Sequence, residues 1–153
     1  MSLDPRARPA MVSPRLRELH DHWLGMRAGR HMPSRADFDP VDVPRLLPHL
    51  LLFDVEPGTD RLKVRVAGTL VVEMYGGDYT GRYFDEIDFG DRRTAVLQGY
   101  SVCLRTRQPY ISEQTYWTPL KIARRVERLI LPLSDDDATV THILTGLEFK
   151  PSE

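Results

Sequence analysis

The stretch Val64–Arg82 constrains the fold most, because the hydrophobic period changes there at a glycine. Leu62, Val64 and Val66 alternate with Arg61, Lys63 and Arg65, the period of a half-buried strand. At Ala67-Gly68-Thr69 the alternation stops, and Leu70, Val71, Met74 and Tyr75 recur at helical offsets. Thr69 is the expected cap of this short helix, and Gly76-Gly77 its expected end, since glycine accepts a left-handed backbone. Asp78-Tyr79-Thr80-Gly81 makes another turn before the aromatic Tyr83–Ile87. A chain running strand, small residue, short helix and glycine turn wraps one side of a cavity. The stretch reads as part of a binding module and carries no set of catalytic groups.

The rest of the chain supplies a single core for that wall. Its 153 residues are 41% hydrophobic and 28% charged, the balance of one ordinary globular domain. A net charge of -1 gives no field for nucleic acid or an anionic membrane, so neither is an expected partner. The single Cys103 excludes an internal disulfide and fits a reducing compartment. No apolar run approaches the roughly 20 residues of a membrane span, and the first residues lack a signal peptide's apolar region. A cytoplasmic location is the expectation.

Residues 1–12 have no periodicity and read as a loose arm. Ser13-Pro14 opens a helix expected over 13–28, with Leu16, Leu19, Trp23 and Met26 on one face. That stripe must be covered by the chain's own sheet or by a second subunit. The second option makes Leu16, Leu19 and Trp23 the candidate dimer interface. Pro33, Pro40, Pro44 and Pro48 leave room only for short helical turns, one capped by Asp39. Residues 49–56 and 61–67 then form an expected hairpin around Glu56-Pro-Gly-Thr-Asp60. Asp91 is the expected cap of a helix to about Arg107, whose apolar face is Val96, Leu97, Tyr100, Cys103 and Leu104. Strands follow at about 110–118, 124–133 and 138–149, with Pro132 marking an edge or bulge and Asp135-Asp136-Asp137 a solvated turn.

This order resembles a PAS domain, an α+β fold whose five-stranded antiparallel sheet takes a helical insert between strands 2 and 3. Arg65-Val-Ala-Gly68-Thr69 followed by Gly77-Asp78-Tyr79-Thr80-Gly81-Arg82 is similar to the strand and glycine-spaced turn of that family. Met32-Pro-Ser-Arg-Ala-Asp-Phe-Asp-Pro40 before a leucine-rich strand resembles the small stand-alone PAS-like proteins of alphaproteobacteria. The resemblance covers residues 13–149 as one domain with its N-terminal amphipathic helix, between the arm 1–12 and a tail 150–153. It implies a bacterial sensory or regulatory module, non-enzymatic, that signals by protein–protein contact, often as a homodimer, with a small ligand in the core of some members. A ligand-free interaction and dimerisation adaptor is the alternative, and a small α+β enzyme with a ketosteroid-isomerase-like cavity is a third reading.

The candidate pocket lining is Met74, Tyr75, Tyr83, Phe84, Leu97, Tyr100, Cys103 and Trp117, which would otherwise be plain core. No catalytic residue is assigned. The enzyme reading needs Asp85, Glu86 or His142 to reach into the cavity. The cofactor is unknown: residues 70–80 lack the cysteine of flavin-adduct members, and 91–107 lack the axial histidine of haem-binding ones. His20 and His22 do not share a helix face and no Cys/His cluster has metal spacing, so no metal is expected. Arg65 and Arg82 read as exposed sheet and turn arginines, Arg124, Arg125 and Arg128 as the polar top of a strand, and Cys103 as an inert apolar side chain.

Overall fold

Five antiparallel strands form one sheet in the order β2-β1-β5-β4-β3: β1 Leu50–Val55, β2 Leu62–Ala67, β3 Tyr110–Trp117, β4 Ala123–Leu133 and β5 His142–Lys150. The helices are α1 Pro14–Met26, α2 Thr69–Tyr75 and α3 Arg93–Thr106, the last two falling between β2 and β3 as the resemblance implied. This computed structural model describes residues 13–117 and 123–150; the arm expected over 1–12 and the tail after Lys150 lie outside them.

Cross-strand partners share a face, which sorts the sheet into two sides. The row Leu51, Thr145, Ile130, Tyr110 faces α2, α3 and the 3₁₀ turn Phe84–Glu86, here called the inner side. The neighbouring row Leu50, Gly146, Leu129, Ile111 faces outward, and α1 lies on it. Gly146 sets how closely α1 approaches. A Cβ there would stand 2.6 Å from Leu19 Cδ2 and 2.8 Å from Leu16 Cδ2.

The apolar stripe of α1 is therefore covered within the chain. Leu16, Leu19 and Trp23 are all buried, and the Trp23 indole N–H donates to the Pro132 carbonyl at 2.9 Å. Each buried leucine contributes about 1.5–3 kcal/mol. A dimer surface built on these three side chains would require α1 to leave the sheet. The helix start is also tied down: Ser13 N–H donates to Glu127 at 2.9 Å and its hydroxyl to Glu148 at 2.8 Å. Pro132 sits where β4 has run past its last pairing with β3, Tyr110–Ile130, so no ladder bond is lost there.

Several local expectations change at the level of caps and turns. Gly68, not Thr69, caps α2, and Gly76 at φ 78° ends it in the left-handed region. A 3₁₀ turn, Gly90–Arg92, takes up the position expected for an Asp91 cap, so α3 begins at Arg93. The fifth strand starts at His142 rather than 138, because the preceding acidic turn is built, not merely solvated. Asp136 accepts from Thr139 N–H at 2.7 Å, Ala138 N–H at 2.9 Å and the Ser134 hydroxyl at 2.9 Å. Asp137 accepts from Met32 and His31 N–H, each at 3.0 Å, and so holds the proline-rich segment to the sheet.

These N–H donors favour the carboxylate form. The Thr139 and Ala138 amides, then the Ser134 hydroxyl, take Asp136 down to about 2 from the ordinary 3.8. A depressed carboxyl stabilises the fold fully above its unfolded value and loses that contribution as pH falls through its folded value. The Ala138 and Thr139 amide resonances are expected to titrate with a midpoint near 2. A midpoint at the ordinary value, or the same curve in Asp136→Asn, would contradict the turn as described.

Candidate functional site

The wall read from Val64–Arg82 is present on the inner side. β2 ends at Gly68, α2 crosses over β1 and β2, and the following turn returns along the β2 edge through Val64 N–H to Arg82 O (2.9 Å) and Gly81 N–H to Val64 O (2.7 Å). Behind this wall, Phe53 from the sheet, Phe84 from the 3₁₀ turn and Tyr100 from α3 form an aromatic triangle. Their ring centroids are 4.9 Å apart for Phe53–Phe84 and 5.3 Å for each of the other two pairs, all edge to face. Such geometry is the favoured aromatic packing and leaves no gap for another ring. The Tyr100 hydroxyl is satisfied by Thr145 Oγ1 at 3.1 Å. Cys103 is buried beside them, and burial pushes its thiol up to about 12, the behaviour of an inert core cysteine.

The remaining inner space lies at the triangle's edges. A void of about 10 Å³ is lined by Val71, Tyr75, Tyr79, Phe84 and Ile87. A cleft of about 180 Å³ opens between the hairpin turn and α3, lined by Arg61, Phe84, Asp85, Leu97 and Tyr100 among others. Its rim is polar. Arg61 grips Asp85 through Nε and Nη2, each at 2.9 Å, and lies 3.8 Å from the Tyr83 ring centroid. The Arg61 guanidinium holds the Asp85 carboxyl below the usual carboxylate range, and the Tyr83 hydroxyl does the same for Glu56. These contacts latch the β1–β2 hairpin to the Phe84 turn.

Of the expected lining, Tyr75 and Phe84 border the void, while Phe84, Leu97 and Tyr100 border the cleft. Cys103 is core, and Tyr83 belongs to the rim latch. Met74 borders neither space, and the Trp117 side chain lies outside the described residues. Of the three candidates for an enzyme's acid or base, only Asp85 borders the inner cleft. Asp85 is held by Arg61, Glu86 is exposed, and His142 stands on the outer face with Nε2 3.4 Å from Asp54. Arg65 is exposed and pairs with Asp54 at 3.3 Å; Arg82 is exposed over the Tyr79 ring.

Arg128 departs from its expected place. It is 3% exposed on the inner side under α3, donating to Val96 O at 2.7 Å and to Ser112 Oγ at 3.3 Å, with its guanidinium 5.0 Å from the Tyr100 ring centroid. Val126 and Ile130, two residues either way on the same face, were the signal for this. Gly99 gives it room, since a Cβ there would meet Arg128 Nη2 at 2.6 Å.

A larger cavity, missed by sequence reasoning, lies on the other face of the sheet. A half-open space of about 390 Å³ lies between the proline-rich segment and the outer sides of β1, β2 and β5, lined by Phe38, Leu47, Leu52, Val66 and Leu144 with Arg35. Among the described residues, no group of three or more Asp, Glu, His or Cys could hold a metal ion, and no helix is long and apolar enough to cross a membrane.

A sequence profile of the PAS domain family matches residues 11–148. The chain belongs to the PAS domain family. Solved PAS structures share the fold at low identity. A light-oxygen-voltage domain studied with a flavin analogue superimposes with a TM-score of 0.58 at 10% identity, covering 73% of this chain and 84% of its own. The Rhodobacter sphaeroides LOV protein gives 0.54 at 12%, covering 73% and 68%. A PAS domain from Colwellia psychrerythraea gives 0.54 at 7%, covering 71% and 93%. No curated protein matches the chain by sequence. The PAS sheet and helical insert are thus shared, while the triangle decides what this interior can hold. A flavin ring system does not fit between Phe53, Phe84 and Tyr100 unless those rings move.

Proposed function

We propose that this PAS-family chain is a non-enzymatic sensory or regulatory module that signals by contact with a partner protein or a second copy. The observation that supports the reading is the Phe53–Phe84–Tyr100 triangle, which occupies the space between the sheet centre and α3 with the chain's own side chains. A core packed this closely transmits displacement between its helices and its sheet better than it accommodates a ring-sized guest. Asp85 and Glu86 both face Arg61, at 2.9 and 3.7 Å, and His142 lies on the opposite side of the sheet, which supports a role without acid–base chemistry.

The test adds flavin mononucleotide or haemin to freshly purified protein and follows absorbance and native mass spectra after desalting. The reading expects neither group to be retained. One equivalent of flavin or haem held after desalting would overturn the closed aromatic interior on which the reading rests.

A further inference from the structure

We propose that the outer-face cavity is a binding site for a medium-sized apolar carboxylate, such as a fatty acid. The site is built largely by the segment from Met32 to Pro48, whose Arg35, Phe38, Pro44 and Leu47 close over Leu52, Val66 and Leu144 of the sheet. Its volume of about 390 Å³ falls within the roughly 300–1,000 Å³ of small-molecule sites.

The chemistry of the walls selects the ligand. The lining is leucine, valine, proline and phenylalanine, suited to an acyl or aryl tail, and Val66 is 52% exposed although it is a large apolar residue on a strand. A tail in the cavity would cover that exposed surface. Among the described residues, Arg35 is the only charged side chain in the lining. Its guanidinium donates from Nη1 to the Phe38 carbonyl at 3.1 Å and lies 6.0 Å from the Phe38 ring centroid. Among the described residues its guanidinium forms no ion pair; the Asp135 carboxylate takes the Arg35 main-chain N–H at 3.4 Å, which leaves the guanidinium's remaining donors available beside the apolar pocket. An anion with an apolar body answers both features, and a guanidinium binds a carboxylate through paired N–H donors.

The segment is held in place independently of any ligand. Asp137 accepts from His31 and Met32 N–H, Asp39 caps the turn at Pro40, and Ser134 N–H donates to Pro33 O at 2.8 Å. The pocket is therefore preformed, which lowers the ordering cost of binding.

The test titrates decanoate, and decanol as its neutral analogue, into ¹⁵N-labelled protein below their aggregation concentrations. One saturable site is expected, with shifts at Phe38, Leu52, Val66 and Leu144, and decanoate about tenfold tighter than decanol. Arg35→Gln should remove that tenfold preference, and Val66→Trp, at a half-exposed position, should abolish binding of both. Three results would overturn the proposal: no saturation, equal affinities for the two probes, or binding unaffected by Val66→Trp. Shifts spread through the inner core, or displacement by a second copy of the chain at high concentration, would also count against it. Failure here leaves the reading of the inner core standing, because flavin and haem retention is measured separately.

Discussion

Gly68→Ala is expected to destabilise the protein by about 3 kcal/mol or more, because overpacking against immovable atoms exceeds the usual cost of an extra methyl. At φ -64° the backbone of Gly68 suits any residue, so the requirement is space alone. A Cβ would stand 2.3 Å from Leu47 O, 2.5 Å from Pro48 O and 2.6 Å from Pro48 C, all main-chain atoms. The two segments cannot separate without breaking the bond from Gly68 N–H to Leu50 O, at 2.7 Å the tie between β1 and the start of α2. A denaturant midpoint well below wild type checks this. Gly25 is the control, because a Cβ there would meet nothing within 4 Å. Gly25→Ala inside α1 should stabilise by about 0.5–1 kcal/mol. Equal, small effects at both positions would contradict the close approach at Gly68.

Trp23→Ala should cost about 3–5 kcal/mol, the range for truncating a fully buried aromatic residue. The ring is 0% exposed between α1 and the outer sheet face, and its loss leaves the Pro132 carbonyl without its indole donor. Trp23→Phe keeps an aromatic ring in place and should cost less, by about 1 kcal/mol or more. Light scattering separates this account from a stripe that covers a second subunit. With the stripe on the chain's own sheet, Trp23→Ala lowers stability at every protein concentration and leaves the molecular mass unchanged. A concentration-dependent stability change accompanied by a drop in mass would place the stripe between subunits instead.

Much of this fold was legible because period and turn chemistry are local. The alternation ending at Ala67-Gly68, the glycine stop at Gly76, the Asp39 cap and the hairpin around Glu56–Asp60 are all found where short-range rules put them. What covers an apolar face is not local. The α1 stripe was read as the candidate dimer interface, and its packing on the chain's own sheet depends on Gly146 opposite Leu16 and Leu19, a contact far apart in sequence. The outer cavity was illegible for the same reason, since four prolines marked residues 33–48 as a loop without saying which sheet face it would roof. Arg128 was legible but missed. Its i−2 and i+2 neighbours, Val126 and Ile130, put it on the buried side of β4. The aspartate turn was underread because hydrogen bonds from Met32 and His31 to Asp137 join segments over a hundred residues apart.

The central claim is that aromatic rings close the interior between the sheet centre and α3, while the accessible apolar cavity lies on the opposite face. Xenon enters apolar cavities and is visible by its scattering, so a crystal pressurised with xenon measures both halves at once. The account predicts xenon among Phe38, Leu52, Val66 and Leu144, and none between Phe53, Phe84 and Tyr100. Xenon seated inside the aromatic triangle, with the outer cavity empty, would contradict it.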